Sequence, residues 1–269
     1  TGGFPVARIA AAAAAVILLG REAFAQSAAP SVNSGDTAWL LISTALVMFM
    51  TAPALALFYG GLVKRKNVLN ILMQCFAMLA FVSVIWVVCG YSLAFGTDSI
   101  IPGFIGGFKW SFLDGVGTAP STVYATTVPH ILFMMYQGMF AVITPALIVG
   151  AFAERMKFLS FFVFSAIWLV LVYFPVAHWV WASDGWLAKL GAVDFAGGIV
   201  VHITAGVAAL VTALVIGKRH NLKPTPPHNL PFTMVGAAML WFGWFGFNGG
   251  SALSANGVAA NAFVVTNTS

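Results

Sequence analysis

The sequence has 269 residues, of which 61% are hydrophobic and only 7% are charged. Soluble domains usually contain about 45–50% apolar and about 25% charged residues, so this composition excludes an ordinary soluble domain. The chain carries 12 Lys and Arg against 7 Asp and Glu, an excess that in a soluble protein would suggest a nucleic-acid partner. The positions of the basic residues indicate a different cause.

Residues 1–25 have the features of a secretory signal peptide. Arg8 precedes an apolar run at residues 9–20, and Ala23 and Ala25 give the small-x-small pattern of a cleavage site. The alternative, an uncleaved span, requires roughly 20 apolar residues, and the run is shorter than that. We therefore expect a cleaved signal peptide and, because the chain begins with Thr, an incomplete N-terminus.

Long uncharged windows follow within residues 26–269. Each is long enough for a helix to cross the hydrocarbon core, which takes roughly 20 residues, and lipid offers the backbone no hydrogen-bond partner, so the spans must be helical. The sequence therefore predicts an all-α polytopic membrane protein. The predicted spans are residues 37–63, 67–95, 128–153, 158–181, 195–217 and 230–252.

Basic residues are concentrated in alternate loops between these spans. The intervening loops contain only Lys109 and Lys189. This is the positive-inside pattern, which accounts for the excess positive charge and predicts that the basic loops face the cytoplasm and that the mature N-terminus lies outside. The basic loops contain Lys64, Arg65, Lys66, Arg155, Lys157, Lys218, Arg219 and Lys223.

The sequence offers no motif for an enzyme or a cofactor. Cys75 and Cys89 lie in one predicted helix about 21 Å apart, too far for a disulfide. Metal-ligand spacings, a P-loop, a nucleophile elbow and HExxH are all missing from the printed sequence. We expect no enzyme and no cofactor.

The third predicted span places Tyr136 and Phe140 one turn apart on one helix face, with Gln137 beside them. Two interpretations stay open. These residues pack between helices with one inter-helix hydrogen bond, or they form an aromatic plug in a narrow path. Pro145 in the same helix predicts a local break, because proline frees a carbonyl that neighbours must satisfy.

The fourth span ends in AHWVWASDGW, which brings His178, Trp179, Trp181 and Trp186 to the outer boundary. Aromatic residues there are typical of a membrane-interface belt, which accounts for Trp179 and Trp186. The face of a Trp beside an opening is also the best side-chain trap for a cation, so one Trp is a candidate ligand contact. The motifs FYGGLVKRKN and YSLAFG are interpreted as helix ends without a site.

The fifth span begins with DFAGGIVVHITAG. Asp194 precedes the helix, where its carboxylate can accept bonds from the N–H groups of residues 196–198 as an N-cap. His202 lies inside the membrane, between Gly198 and Gly206 at one-turn spacing. Small residues allow a close helix neighbour or a lumen, and an ionisable group inside a membrane indicates a functional site.

The sixth span contains GWFGFNGGSA, in which Trp244, Phe247 and Ser251 share one helix face. Gly246 and Gly250 predict close helix packing. Together the spans suggest an outer aromatic vestibule, an aromatic constriction and a buried imidazole. A small cation that crosses more cheaply after it loses its proton would need these parts in this order, and ammonium fits.

From Asp36 to Ser269 the chain resembles the ammonium transporter family (Amt/Mep/Rh), specifically its bacterial Amt branch. The family has eleven spans in an inverted repeat; the chain would supply the first half and the sixth span, with NAFVVTNTS resembling the start of the seventh. The resemblance therefore implies that the chain is truncated. The motifs that carry it are FYGGLVKRKN, YSLAFG, QGMFAVITPALIVGAFAER, DFAGGIVVHITAG, GKR, PHNLP and GWFGFNGGSA.

The resemblance implies roles at matching positions. Trp181, Phe140 and Ser251 form the outer recruitment site for ammonium, and Phe140 with Phe247 gates the pore. His202 matches the first of two pore histidines that relay a proton. The second would lie outside this sequence. Structural support of the site is expected from Asp194, from Trp244 and from Tyr136, which stands where some members have Phe.

The family also implies a homotrimer in the bacterial cytoplasmic membrane and a PII-type regulatory protein on the cytoplasmic face. The basic residues at 64–66 and 218–223 could belong to that docking surface, although membrane orientation explains the same charges. Two other functions stay open: an ammonium sensor with the same pocket, and a non-conducting truncated subunit. We expect six helices alone not to conduct, because faces that normally pack against the second half would be exposed.

Overall fold

The computed structural model describes residues 30–219 and 226–269; the predicted signal peptide and Lys223 lie outside the described residues. Within the described ranges all regular secondary structure is helical. Six helices are long and apolar enough to cross a membrane, with mean hydropathy between 1.4 and 2.5. The all-α membrane fold class predicted from the sequence is therefore confirmed.

The helices are numbered here in chain order. They are α1 (Ser34–Leu62), α2 (Arg65–Phe95), α3 (His130–Phe152), α4 (Phe158–Lys189), α5 (Gly198–Ile216) and α6 (Leu230–Ala252). A shorter helix, α7 (Gly257–Thr268), follows them. The α4 segment leaves the helical path at residues 182–185 before a final turn at Trp186–Lys189.

Helix α3 is the centre of the bundle, with 78% of its most apolar window buried. The break predicted at Pro145 is wrong, because α3 runs without interruption from His130 to Phe152. Packing of this largely buried helix outweighs the loss of one backbone donor, the N–H that would otherwise bond to the Ala141 carbonyl. The interrupted helix is α1, where Ala52 before Pro53 has extended dihedrals, φ −146° and ψ 115°.

Close contact between α6 and α1 depends on glycine. A Cβ on Gly236 would lie 2.4 Å from the backbone nitrogen of Phe58, and one on Gly243 would lie 2.1 Å from Cγ of Met50. Such distances are shorter than any van der Waals contact, so only glycine permits this approach. The predicted close approach also holds at Gly246, where a Cβ would meet Cβ of Leu46 at 2.6 Å.

The loop at residues 96–129, between α2 and α3, is fastened to the end of α4. Ser99 donates to Oδ2 of Asp184 at 2.6 Å, and Nε2 of His178 lies 3.2 Å from Oδ1 of the same carboxylate. Nδ1 of His178 is 3.0 Å from the Ala94 carbonyl. His178 is fully buried, so it is a clamp between α2, α4 and the loop, and not a member of the aromatic belt.

At the opposite end of the bundle, the three basic loops meet around Glu154. Its carboxylate accepts from the Lys64 backbone N–H and from Nδ2 of Asn67, both at 2.8 Å, and pairs with the Arg219 guanidinium. Burial raises the pKa of Glu154, but these hydrogen bonds and the charge of Arg219 outweigh it, so the net pKa is lowered. Glu154 therefore joins the loops that follow α1, α3 and α5.

We predict that Glu154→Gln destabilises the protein by about 1–3 kcal/mol, because it removes a hydrogen-bonded charge and weakens the bond to Arg219. The stabilisation should be complete above the ordinary glutamate pKa, 4.5, and disappear as the pH falls through the lowered folded pKa. Thermal unfolding of detergent-solubilised wild type and variant from pH 7 to pH 3 measures this. An equal difference in melting temperature at both ends of that range would contradict the role of Glu154.

Candidate functional site

A cavity of about 400 Å³ opens at the end of the bundle away from the basic loops. It brings together four residues predicted from the sequence: Phe140, Trp181, Asp194 and Ser251. Residues from α2, α3, α4, α6 and three loops contribute to its wall, so no single sequence segment defines it. The other lining residues are Phe95, Tyr124, Phe133, Gln137, Val180, Ala192, Val193, Phe195 and Leu253.

Three aromatic rings form a series from the cavity into the bundle. The ring centroids of Trp181 and Phe140 are 5.8 Å apart with nearly perpendicular planes, and those of Phe140 and Phe247 are 4.4 Å apart. Both Phe side chains are 1% exposed. The two Phe rings therefore close the inner side of the cavity, while the half-buried Trp181 lines its wall.

His202 lies directly behind this aromatic pair. Its ring centroid is 6.0 Å from that of Phe247 and 5.9 Å from that of Trp244, whose plane is almost parallel. The residue occupies a π-helical turn, and its backbone N–H donates to the Gly197 carbonyl at 2.9 Å. Trp181, Phe140, Phe247 and His202 thus follow one another in space as well as in the predicted pathway.

The face of α5 around His202 is open within the part of the chain that the structure describes. A Cβ on Gly206 would meet nothing within 4 Å, and one on Gly198 would meet only Oδ1 of Asp194 at 4.0 Å. Among the described residues, no side-chain hydrogen bond is formed by the imidazole. The two glycines therefore leave open space beside the imidazole ring. None of the described helices packs into that space.

Asp194 caps the start of α5 with both carboxylate oxygens. Oδ1 accepts from the N–H groups of Gly197 and Gly198 at 2.5 and 2.8 Å, and Oδ2 accepts from Ile199 and Val200 at 2.8 and 2.9 Å. The sequence correctly predicts that Asp194 caps the helix. The predicted donors are residues 196–198, whereas the observed donors are residues 197–200. Gly197 has a φ of +94°, and this left-handed turn directs the later N–H groups to the carboxylate.

The same residue positions Trp181, because the indole Nε1 donates to the Asp194 backbone carbonyl at 2.9 Å. Asp194 therefore supports the cavity in two ways: its side chain begins α5, and its backbone fixes the ring that lines the cavity wall. A hydrogen-bonded indole also has little freedom to rotate away.

Tyr136 supports the opposite wall. Its ring lies 5.1 Å from that of Phe140, and its hydroxyl is 3.0 Å from the carbonyls of Gly246 and Phe247 and 3.2 Å from Oγ of Ser251. Ser251 donates to the Phe247 carbonyl at 2.9 Å. Tyr136 thus joins α3 to the end of α6 at the position where Phe247 and Ser251 reach the cavity.

Several lining residues escape prediction from the sequence. Phe95 lies in YSLAFG, a motif interpreted as having no site; that interpretation is wrong, since Phe95 lines the cavity and its carbonyl accepts from the Tyr124 hydroxyl at 2.7 Å. Tyr124 stacks on Phe133 at 5.4 Å. Tyr124 and Leu253 lie in loops, where the sequence has no helical period that would indicate a buried position. Phe133 and Phe95 lie in helices, but their sequence pattern is the same as that of any apolar residue in a membrane helix.

The described residues contain no group of three or more His, Cys, Asp or Glu side chains that could hold a metal ion. The polar groups at the cavity are hydroxyls, an indole, an amide and a capped carboxylate. Such a lining suits a small cation that is held by ring faces and by a few hydrogen-bond acceptors.

Comparison with known sequences matches residues 38–269, most of the chain, to the model described as Ammonium Transporter Family. The chain is 56% identical over 237 residues to an ammonium transporter of Bacillus subtilis, covering 88% of this chain and 57% of that protein. It is 52% identical over 240 residues to the ammonium transporter Amt1 of Archaeoglobus fulgidus, covering 88% and 58%. The chain therefore spans little more than half the length of these relatives.

Solved structures give the same result. The crystal structure of Candida albicans Mep2 is 40% identical, with a TM-score of 0.79 over 88% of this chain and 52% of that one. A structure titled Sensor Amt Protein is 28% identical, with a TM-score of 0.76 over 87% and 58%. These matches extend over all six spanning helices, and the chain, a multi-pass membrane protein, belongs to the ammonium transporter family.

Proposed function

We propose that this protein transports ammonium or ammonia across the cytoplasmic membrane of a bacterium. The observation that carries the proposal is the spatial series of Trp181, Phe140, Phe247 and His202, with successive ring centroids 4.4–6.0 Å apart. Relatives named as ammonium transporters, at 50–56% identity, support the substrate.

The first proposed step is capture of the cation in the vestibule, the cavity described above. The faces of Trp181 and Phe140 attract a cation through their ring quadrupoles, an interaction of about 0.5–2 kcal/mol or more once water is removed. The Ser251 hydroxyl donates a hydrogen bond to the Phe247 carbonyl, so the lone pairs of its Oγ can accept a hydrogen bond from an N–H group. Recruitment therefore combines two ring faces with one hydroxyl acceptor.

The second proposed step is loss of a proton before the aromatic gate: one N–H bond of ammonium breaks, its proton passes to water in the open vestibule, and ammonia continues. Moving an unpaired monovalent ion between two buried Phe rings would cost many kcal/mol, because the low-dielectric surroundings do not replace its hydration. Neutral ammonia avoids most of this cost. Phe140 and Phe247 therefore form a gate that opens by ring rotation and favours the neutral species.

His202 is the proposed proton carrier of the inner pathway. Its imidazole follows the gate and titrates in the neutral pH range when unperturbed. The second histidine of the relay is implied by the family resemblance. The chain covers 57% of the length of a transporter relative.

Transport is favoured over sensing. The relatives that exceed 50% identity are named as transporters, whereas the structure titled Sensor Amt Protein is 28% identical. The proposed assembly is a homotrimer with the mature N-terminus outside. Docking of a PII-type regulator would use the cytoplasmic end, where Lys64, Lys66 and Lys218 line a cavity of about 400 Å³.

We predict distinct effects for two variants of the pathway, with protein made from the complete gene and reconstituted in liposomes. Trp181→Leu should raise the apparent KM for ammonium about 3- to 30-fold through lost cation–π attraction. His202→Ala should lower the maximal rate by about 10²-fold through loss of the proton carrier. Ammonium-driven current under a gradient measures both quantities.

Trp179→Leu is the matched control for these variants. Trp179 packs on Trp186 and donates to the Phe104 carbonyl, and it does not line the vestibule, so its loss should leave KM and maximal rate near the wild-type values. Absence from the wild type of both an ammonium-dependent current and a pH change inside the liposomes would refute transport, since passage of neutral ammonia carries no charge. Unchanged flux after combined replacement of Trp181 and His202 would refute the assigned pathway.

A second prediction concerns Tyr136. Tyr136→Phe keeps the ring against Phe140 and removes only the hydroxyl that joins Gly246, Phe247 and Ser251. Loss of this hydrogen bonding, about 1 kcal/mol, should raise the apparent KM about fivefold and leave the maximal rate unchanged. Adding Tyr136→Phe to Ser251→Ala should raise the apparent KM little beyond the value for Ser251→Ala alone, since both changes act through the Ser251 acceptor. Strictly additive effects on KM in the double variant would contradict this role of Tyr136.

A further inference from the structure

Almost every polar side chain that lines the vestibule is already engaged within the protein. The indole of Trp181 donates to the Asp194 carbonyl, and the hydroxyl of Tyr124 donates to the Phe95 carbonyl. The Asp194 carboxylate accepts four backbone N–H bonds. These groups shape the vestibule, but their hydrogen-bonding capacity is largely used.

Gln137 is the exception. It lies on α3, one turn from both Phe133 and Phe140, and lines the same cavity. Its amide oxygen Oε1 is shielded from solvent and has no donor within hydrogen-bonding distance among the described residues. Shielded side-chain carbonyls nearly always have a partner in folded proteins, so this oxygen requires a donor that the described part of the chain does not supply.

The amide can present that oxygen to the vestibule. The terminal torsion of a glutamine side chain has a broad, roughly two-fold profile, so Oε1 can rotate without moving α3. A carbonyl oxygen accepts but does not donate. An ammonium ion has only N–H donors, and the single acceptor at Ser251 cannot satisfy them all.

We infer that Gln137 is a further substrate-contacting residue of the vestibule, whose amide oxygen accepts an N–H bond from ammonium while Ser251 accepts another. This inference rests on the proposed transport function. It gives the vestibule two acceptors on separate helices, α3 and α6, beside the ring faces. Two directed acceptors select cations that carry N–H groups, whereas ring faces alone attract any small cation.

The test compares Gln137→Leu and Gln137→Met, which remove the acceptor, with Gln137→Glu, which retains an acceptor at the same reach. The control is Gln74→Leu. Gln74 is buried in α2, its Oε1 also has no partner among the described residues, and it does not line the vestibule. The same amide is therefore removed at a site without substrate.

We expect Gln137→Leu and Gln137→Met to raise the apparent KM for ammonium about tenfold, as for loss of a hydrogen bond to a charged group. The maximal rate should stay within about twofold, because the lost bond forms before the gate. Gln137→Glu should keep KM at or below the wild-type value. Gln74→Leu should leave KM unchanged.

Saturable ammonium uptake in wild-type liposomes, followed as current and as a pH change inside them, is the first readout, and absence of both signals would overturn the proposed function and this inference with it. Where the wild type transports, an unchanged KM in both Gln137→Leu and Gln137→Met overturns the inference alone. An equal rise of KM in Gln74→Leu also overturns it, since the effect would then follow from loss of any buried amide. If either Gln137→Leu or Gln137→Met fails to fold in the membrane, the KM of the remaining variant decides between these outcomes.

Discussion

Four backbone N–H groups at the start of α5 converge on the carboxylate of Asp194, and the geometry of the vestibule depends on this cap. Helix starts leave such donors without partners, and at a membrane boundary their burial would be costly. With the cap formed, the Asp194 backbone carbonyl accepts from the Trp181 indole, and the π-helical turn places His202 behind Phe247. One residue therefore connects the wall of the vestibule to the start of α5.

The second constraint is the central position of α3. This helix presents Tyr136, Gln137 and Phe140 toward α6 and the vestibule, so its packing determines where the Phe140 ring meets that of Phe247. Tyr136 joins it to the end of α6, and Gly250 permits that approach, since a Cβ there would lie 2.7 Å from the Tyr136 hydroxyl. The cap and the packing of α3 together set the spacing between the ring faces and the acceptors that a small cation would meet.

The sequence predicts site residues where they lie on helices with a clear hydrophobic period. It does not predict contacts between loops that are distant along the chain. His202 stood out because a titratable group within an apolar helix is costly, and Phe247 and Ser251 because they share a helix face. Glu154 gave no such signal, since its partners come from three separate loops. The break expected at Pro145 is absent and the one before Pro53 is not predicted, because the effect of a proline depends on packing that one sequence does not reveal.

The most direct test of the cap is hydrogen exchange, resolved at single amides, of the reconstituted wild type and Asp194→Asn. Asparagine keeps one acceptor oxygen and replaces the other with a donor, so one of the two pairs of amides at residues 197–200 should lose its partner. We predict that this pair exchanges faster by about tenfold or more, as for loss of a hydrogen bond to a charged group, while amides in α3 are unaffected. Equal protection of all four amides in both proteins would contradict it.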